Sequence, residues 1–169
     1  MLKYLFIISA FLIGPSAMKG QDTTYQQRHE LEYQKRIKLA KINGRYIPKD
    51  LSDALSQLDQ LVDAEGKARF KAQPESIAVN RIHFSFGKWM IVNWGFYEGS
   101  RLSHFLKSKG VSYPDDMATL LMTCFHRHLL DQPLEFEKLA NEFAEKRRKE
   151  VEERLRQGKV IESKYIPKN

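Results

Sequence analysis

A chain of 169 residues has room for one domain with extensions. Its 42% hydrophobic and 29% charged residues are a globular composition and exclude the apolar-poor, charge-rich make-up of a disordered chain. The net charge of +7 is spread along the sequence, which argues against a specific nucleic-acid binder and supports only a weak preference for anionic surfaces.

The N-terminus reads as a targeting segment. Lys3 precedes an apolar run from Tyr4 to Gly14 that Pro15 and Ser16 break, the layout of a secretory signal peptide. The run is too short for a bilayer, which needs about 20 apolar residues. Small residues precede the cut at Gly20/Gln21 or at Ala17/Met18, and the polar start Gln21-Asp22-Thr23-Thr24 favours the first. An uncleaved anchor is the alternative. Residues 1–20 are thus expected to be removed, and the mature protein to be periplasmic or secreted. Without Lys3 and Lys19 it carries 26 basic against 21 acidic residues. No cysteine near the cut offers a lipid attachment point. Cys124, the single cysteine, excludes an internal disulfide and is expected to be buried and inert.

Residues 25–43 read as a polar helix with a loose stripe of Leu31, Tyr33, Ile37, Ala40 and Ile42, stopped by Asn43-Gly44. Arg45 to Lys49 is extended, because Pro48 disfavours the helical region for Ile47. Asp50 or Ser52 then caps a helix whose apolar set is Leu51, Ala54, Leu55, Leu58, Leu61 and Val62. A short helix over 63–71 ends near Pro74, and 75–82 is open between a helix start and a loop.

Residues 81–97 hold both tryptophans. On a helix Trp89 and Asn93 share one face, and Met90, Ile91 and Trp94 another. Apolar nearly all round, the segment is expected to be a core helix that ends at Gly95. Ser100 caps a helix over 101–109 that buries Leu102, Phe105 and Leu106. Tyr113-Pro114-Asp115-Asp116 opens the next, with proline at its first position and acids in its first turn. Met117, Leu120, Leu121, Cys124, Phe125 and Leu129 make it central.

The last helix begins at Pro133 and runs to about Gln157, with Gly158 as its stop. Phe136, Leu139, Phe143, Val151 and Leu155 are its apolar positions. Glu142/Lys146, Glu145/Lys149, Glu150/Arg154 and Glu152/Arg156 are candidate i,i+4 pairs. Tyr46-Ile47-Pro48-Lys49 recurs as Tyr165-Ile166-Pro167-Lys168: a duplication remnant, two segments docked alike, or chance.

Candidate chemistry centres on the 114–129 helix. His126 and His128 lie about 200° apart around a helix, so they cannot grip one metal. Asp115 and Asp116 are candidate carboxylates, with a simpler role in offsetting the helix dipole. Asp116, Thr119, Thr123 and Arg127 form a polar stripe, with His126 at its edge. If Asn93, Arg101 or His104 faces it, the result is a buried polar network or a small anionic pocket; the network is the expectation. Trp89, Trp94, Phe96 and Tyr97 are more simply core than a binding surface for sugar or peptide. No nucleophile triad order, phosphate loop, zinc-protease, CxxC or calcium-loop pattern occurs, and no cofactor or metal is expected.

The middle of the chain resembles a bacterial domain family of unknown function. The resemblance rests on Tyr46-Ile47-Pro48 with Leu51 and Leu58-Asp59, then His83-Phe84, Gly87, Trp89, Asn93-Trp94-Gly95, Ser100-Arg101-Leu102 and Pro114-Asp115-Asp116-Met117, over about residues 46–130. It implies a single domain and leaves activity open.

The expected fold is all-α: a single domain of five to seven helices with a long charged C-terminal helix. Residues 21–44 are an N-terminal extension, 45–131 the core and 132–169 the final helix and tail. The leading functional expectation is a non-enzymatic binding or protein-interaction module of the cell envelope, with another envelope protein as partner. The alternatives are an envelope hydrolase or other enzyme using Asp115, Asp116, His126 and Arg127, and a basic helical binder of anionic polymers.

Overall fold

The structure, a computed structural model, describes residues 20–164, with side chains over 24–158. The expected signal segment, Gly20 apart, and the second Tyr-Ile-Pro-Lys lie outside these residues.

Eight α-helices and a two-residue hairpin follow in order among the described residues: α1 (Gly20–Arg36), β1 (Lys41–Ile42), β2 (Arg45–Tyr46), α2 (Leu51–Leu61), α3 (Ala64–Lys71), α4 (Glu75–Ile82), α5 (Lys88–Asn93), α6 (Arg101–Ser108), α7 (Pro114–Leu129) and α8 (Phe136–Lys164). A π-turn, His83–Gly87, joins α4 to α5 without a break, so 75–93 is one rod and the rods number seven. The fold is all-α, as expected. The chain divides into two units, residues up to Glu32 and residues from Tyr33 onwards. In the first, α1 exposes Tyr25 and Leu31, and the Tyr25 ring lies near His29.

The Asn43-Gly44 signal has a different meaning from the one read in the sequence. α1 already ends at Arg36. Asn43 and Gly44 have φ of +51° and +77° and turn an antiparallel hairpin that pairs Lys41 with Tyr46 and Ile42 with Arg45. Two successive positive φ values are what the type I′ two-residue hairpin loop needs, and Asn-Gly is strongly preferred there.

Helix starts follow their caps. Asp50 accepts from Asp53 N, Asp63 from Gly66 N, and Ser100 forms a capping box with Ser103. α7 is the central element. Met117, Ala118, Leu120, Leu121, Met122, Cys124 and Phe125 are all buried, and α2, α3, α4, α5, α6 and α8 pack around it. Ile47, Leu58, Met90, Trp94, Phe96, Leu102 and Leu106 complete the core.

The 81–97 segment is less uniformly buried than its composition predicts. Met90, Ile91 and Trp94 face the core, but Phe84 is 88% and Val92 62% exposed. At Gly87 a Cβ would stand 3.2 Å from Met122 Cε and against the His83 ring, so this position holds α4–α5 close to α7. Gly99, at φ +91°, lies under the Tyr33 ring, leaving no room for a Cβ.

The last helix departs from expectation at both ends. Asp131 and Glu135 adopt positive φ, so the chain cannot turn helical at Pro133 and begins at Phe136. Gly158 does not stop it; the helix continues to Lys164. Among the described residues nothing stands within 4 Å of a Cβ placed at Gly158, and an isolated helical glycine is tolerated. Val151 and Leu155 are exposed, as is Leu61 of α2. The ion pairs on α8 run at i,i+3 (Arg147–Glu150, Arg148–Glu145, Arg156–Glu153) instead of the expected i,i+4.

Candidate functional site

The polar stripe of α7 is satisfied from α4 and α8. At its start Asp116, buried, accepts from Arg147 Nε and Nη2 at 2.5 and 2.8 Å. The Arg147 guanidinium also sits over the Tyr113 ring at 4.3 Å and donates to Glu150. The paired Asp116 carboxylate raises the arginine's pKa, against the opposing effect of burial. At the other end Arg127 donates to both oxygens of Glu75, at 2.7 and 3.1 Å, and to Glu135 and the Leu134 carbonyl. The hydrogen bonds that Arg127 donates to Glu75 are the main cause that raises the arginine's pKa.

Between these ends Thr119 Oγ1 donates back to the Asp115 carbonyl, and Thr123 is buried. Both threonines line a groove of about 340 Å³ shared with Glu75, Glu142 and Lys146. His126 is buried, its Nε2 3.0 Å from the Gln73 carbonyl and its Nδ1 without a partner.

The other expected members of the network lie elsewhere. Arg101 Nε donates to the Ile47 carbonyl at 2.7 Å, and its guanidinium covers the Tyr46 ring. Tyr46 Oη and Lys49 N in turn bond Asp53. Arg101 thus locks the first Tyr-Ile-Pro-Lys onto α6 and α2. His104 Nδ1 is 3.0 Å from Tyr33 Oη, and Asn93 Nδ2 donates to the Trp89 carbonyl one turn back. Asp115 is near His83, 3.8 Å from Nε2 to Oδ1. The named polar residues therefore occupy several separate junctions. Among the described residues no group of three His, Cys, Asp or Glu side chains could hold a metal ion. No described helix is long and apolar enough to cross a membrane.

A different feature was not read from the sequence. α3, α4, the π-turn and α7 line a partly open cavity of about 320 Å³. Val62, Phe70, Ala78, Ile82, Phe86 and Phe125 form its walls; Phe70 stacks on Phe125 and meets His126 edge-on. Its charged lining groups are Arg69 and Arg81. Arg69 pairs with Glu65 one turn away. Among the described residues the Arg81 side chain has neither hydrogen bond nor ion pair.

The outer face of the same rod carries Ile77, Arg81, Phe84, Lys88 and Val92, all exposed. Spacings of four, three, four and four residues keep them in one row. Arg81 and Phe84 gave no local sequence signal, since a charge and an aromatic on a helix read as solvent face and core.

Helices wrapped round a buried central rod, with an apolar cavity at one side, define a small all-α domain. Residues 47–129 match the model of a family described as a domain of unknown function, DUF6794. No curated protein and no solved structure matches the chain.

Proposed function

We propose that this protein is a non-enzymatic binding module of the cell envelope, exported by the segment over residues 1–20, that holds an apolar ligand in the α3–α4–α7 cavity. The observation that carries this reading is the division of polar and apolar groups. Asp116 and Arg127 are spent on ion pairs that fasten α8 and α4 to α7, whereas the cavity has six apolar walls and lies within the size range of small-ligand sites. A hydrolase built on Asp115, Asp116, His126 and Arg127 has less support, because these four groups bond four different partners. A protein partner in the envelope is the second reading, favoured by the exposed row of Ile77, Phe84 and Val92.

The test is binding of a neutral apolar dye, N-phenyl-1-naphthylamine, to the mature protein. Fluorescence enhancement is expected, and Ala78→Leu, which intrudes into the cavity, should abolish it while the thermal melt stays cooperative. Dye binding unchanged in a folded Ala78→Leu protein would remove the cavity from consideration.

A further inference from the structure

The chemistry at the cavity rim selects among apolar ligands. Arg81 is exposed and, among the described residues, unpaired, at the edge of a lining whose only uncharged hydrogen-bonding side chain among those residues is Gln73. Its position at the last residues of α4 does not explain it as a partner for a helix end. The rod continues through the π-turn, with Lys88 N donating to the His83 carbonyl, so no free carbonyls gather there. Arg69 is the second cation on the lining, already engaged by Glu65, and among the described residues no acidic side chain lines the cavity. A guanidinium offers two parallel donors that match a carboxylate, and it is less strongly hydrated than an ammonium.

We infer that the cavity binds an apolar carboxylate, a hydrocarbon tail of medium length lying among Phe70, Ile82, Phe86 and Phe125 with its single anionic head on Arg81. This rests on the reading of the cavity as a ligand site. The tail gains by leaving water, and the head gains a charge-assisted bond at a rim that stays partly wet, so the anion is not stripped of all its water.

Calorimetric titration of the mature protein with decanoate, decan-1-ol and decylamine tests it. Decanoate is expected to bind roughly tenfold or more tightly than decanol, as one hydrogen bond to a charged group implies, with decylamine weakest. Arg81→Ala should bring decanoate down to the decanol level, and leave decanol unchanged. Arg69→Ala should have the smaller effect. Arg81 is exposed, so the variant is expected to melt as the parent does. Equal affinity for decanoate and decanol, or decanoate binding unaffected by Arg81→Ala, would overturn the inference and leave the cavity an apolar site. Absence of binding by all three to folded protein would overturn the cavity reading as well.

Discussion

Arg147 and Asp116 lie 31 residues apart and meet through two parallel hydrogen bonds, guanidinium to carboxylate. The pair fastens the middle of α8 to the first turn of α7. Asp116 is the more deeply buried partner, with 8% of its side chain exposed against 28% for Arg147. Removing the arginine leaves a carboxylate that water reaches poorly, although the first turn of α7 offers it free amides. Arg147→Met is therefore expected to destabilise by about 2–4 kcal/mol, somewhat below the full cost of orphaning a buried charge. Urea denaturation checks it. A loss near zero would mean that the packing of Phe136, Leu139, Ala140 and Phe143, with the Lys109–Glu137 pair, holds α8 without it.

The two tryptophans and the π-turn phenylalanine should separate cleanly. Trp94 is 2% exposed and packs between Trp89 and Phe96. Trp94→Ala is expected to cost about 3–5 kcal/mol, as for other large-to-small core changes. Trp89 is only half-buried, stacked on Phe86 and covered by Arg45, so its loss should cost less. Phe84→Ala should lie within about 0.5 kcal/mol of the parent, because the ring is solvated. A large loss at Phe84 would contradict the exposed row on the α4–α5 rod.

How far the sequence reveals this fold depends on the distance over which each signal acts. The caps at Asp50 and Ser100 and the Pro114-Asp115-Asp116 start work within one turn, and they are readable in the sequence. So is the buried face of α7, because helical spacing alone defines it. The Asn43-Gly44 turn is ambiguous in the sequence, since the same left-handed residues end a helix or close a hairpin. The π-turn has no signature in composition; it is visible only as a bond from Lys88 back to His83. The partners of the α7 stripe were out of reach for a stronger reason. Glu75 is 52 residues from Arg127, and nothing in local spacing selects it over the other carboxylates of the chain. The cavity needs four elements at once, so Arg81 was legible only as one more surface cation.

Cys124 should behave as a silent thiol. It is fully buried in α7, and burial pushes its pKa up to about 12. Ellman's reagent at pH 8 is expected to leave the native protein unmodified and to react fully in denaturing urea. The unfolded thiol loses its proton near 9.0 while the folded one keeps it to about 12, so the folded state binds more protons between those values. Stability should then fall as pH rises from about 9, measured as the urea midpoint. A Cys124→Ala protein should lack this share of the slope. Rapid modification of native protein would contradict the burial.

Export has a direct measurement. If residues 1–20 are a cleaved signal, intact mass of the protein from the envelope fraction should correspond to an N-terminus at or near Gln21. Replacing Leu12 and Ile13 with lysines should leave the full-length chain in the cytosol. A cytosolic wild-type species that retains Met1 would remove the envelope from the proposed function.

Arg127 decides whether the α7 stripe is framework or site. It ties three places together: the last turn of α7, the first turn of α4 through Glu75, and the 131–135 connection through the Leu134 carbonyl and Glu135. Glu135 holds φ at +49°, which a non-glycine residue adopts at some cost, so that connection depends on outside bonds to keep its shape. Glu75 is 34% exposed and can regain water when the arginine is lost, which moderates the penalty. Arg127→Met is therefore expected to destabilise by about 1–3 kcal/mol, less than for a fully buried pair. In a double-mutant cycle with Glu75→Gln the two changes should couple by about 1 kcal/mol or more, since each removes the same interaction. Dye and decanoate binding to the folded variant should match the parent, because Arg127 is not on the cavity lining. An Arg127→Met protein as stable as the parent but unable to bind either ligand would reverse the assignment and place this arginine in the binding site.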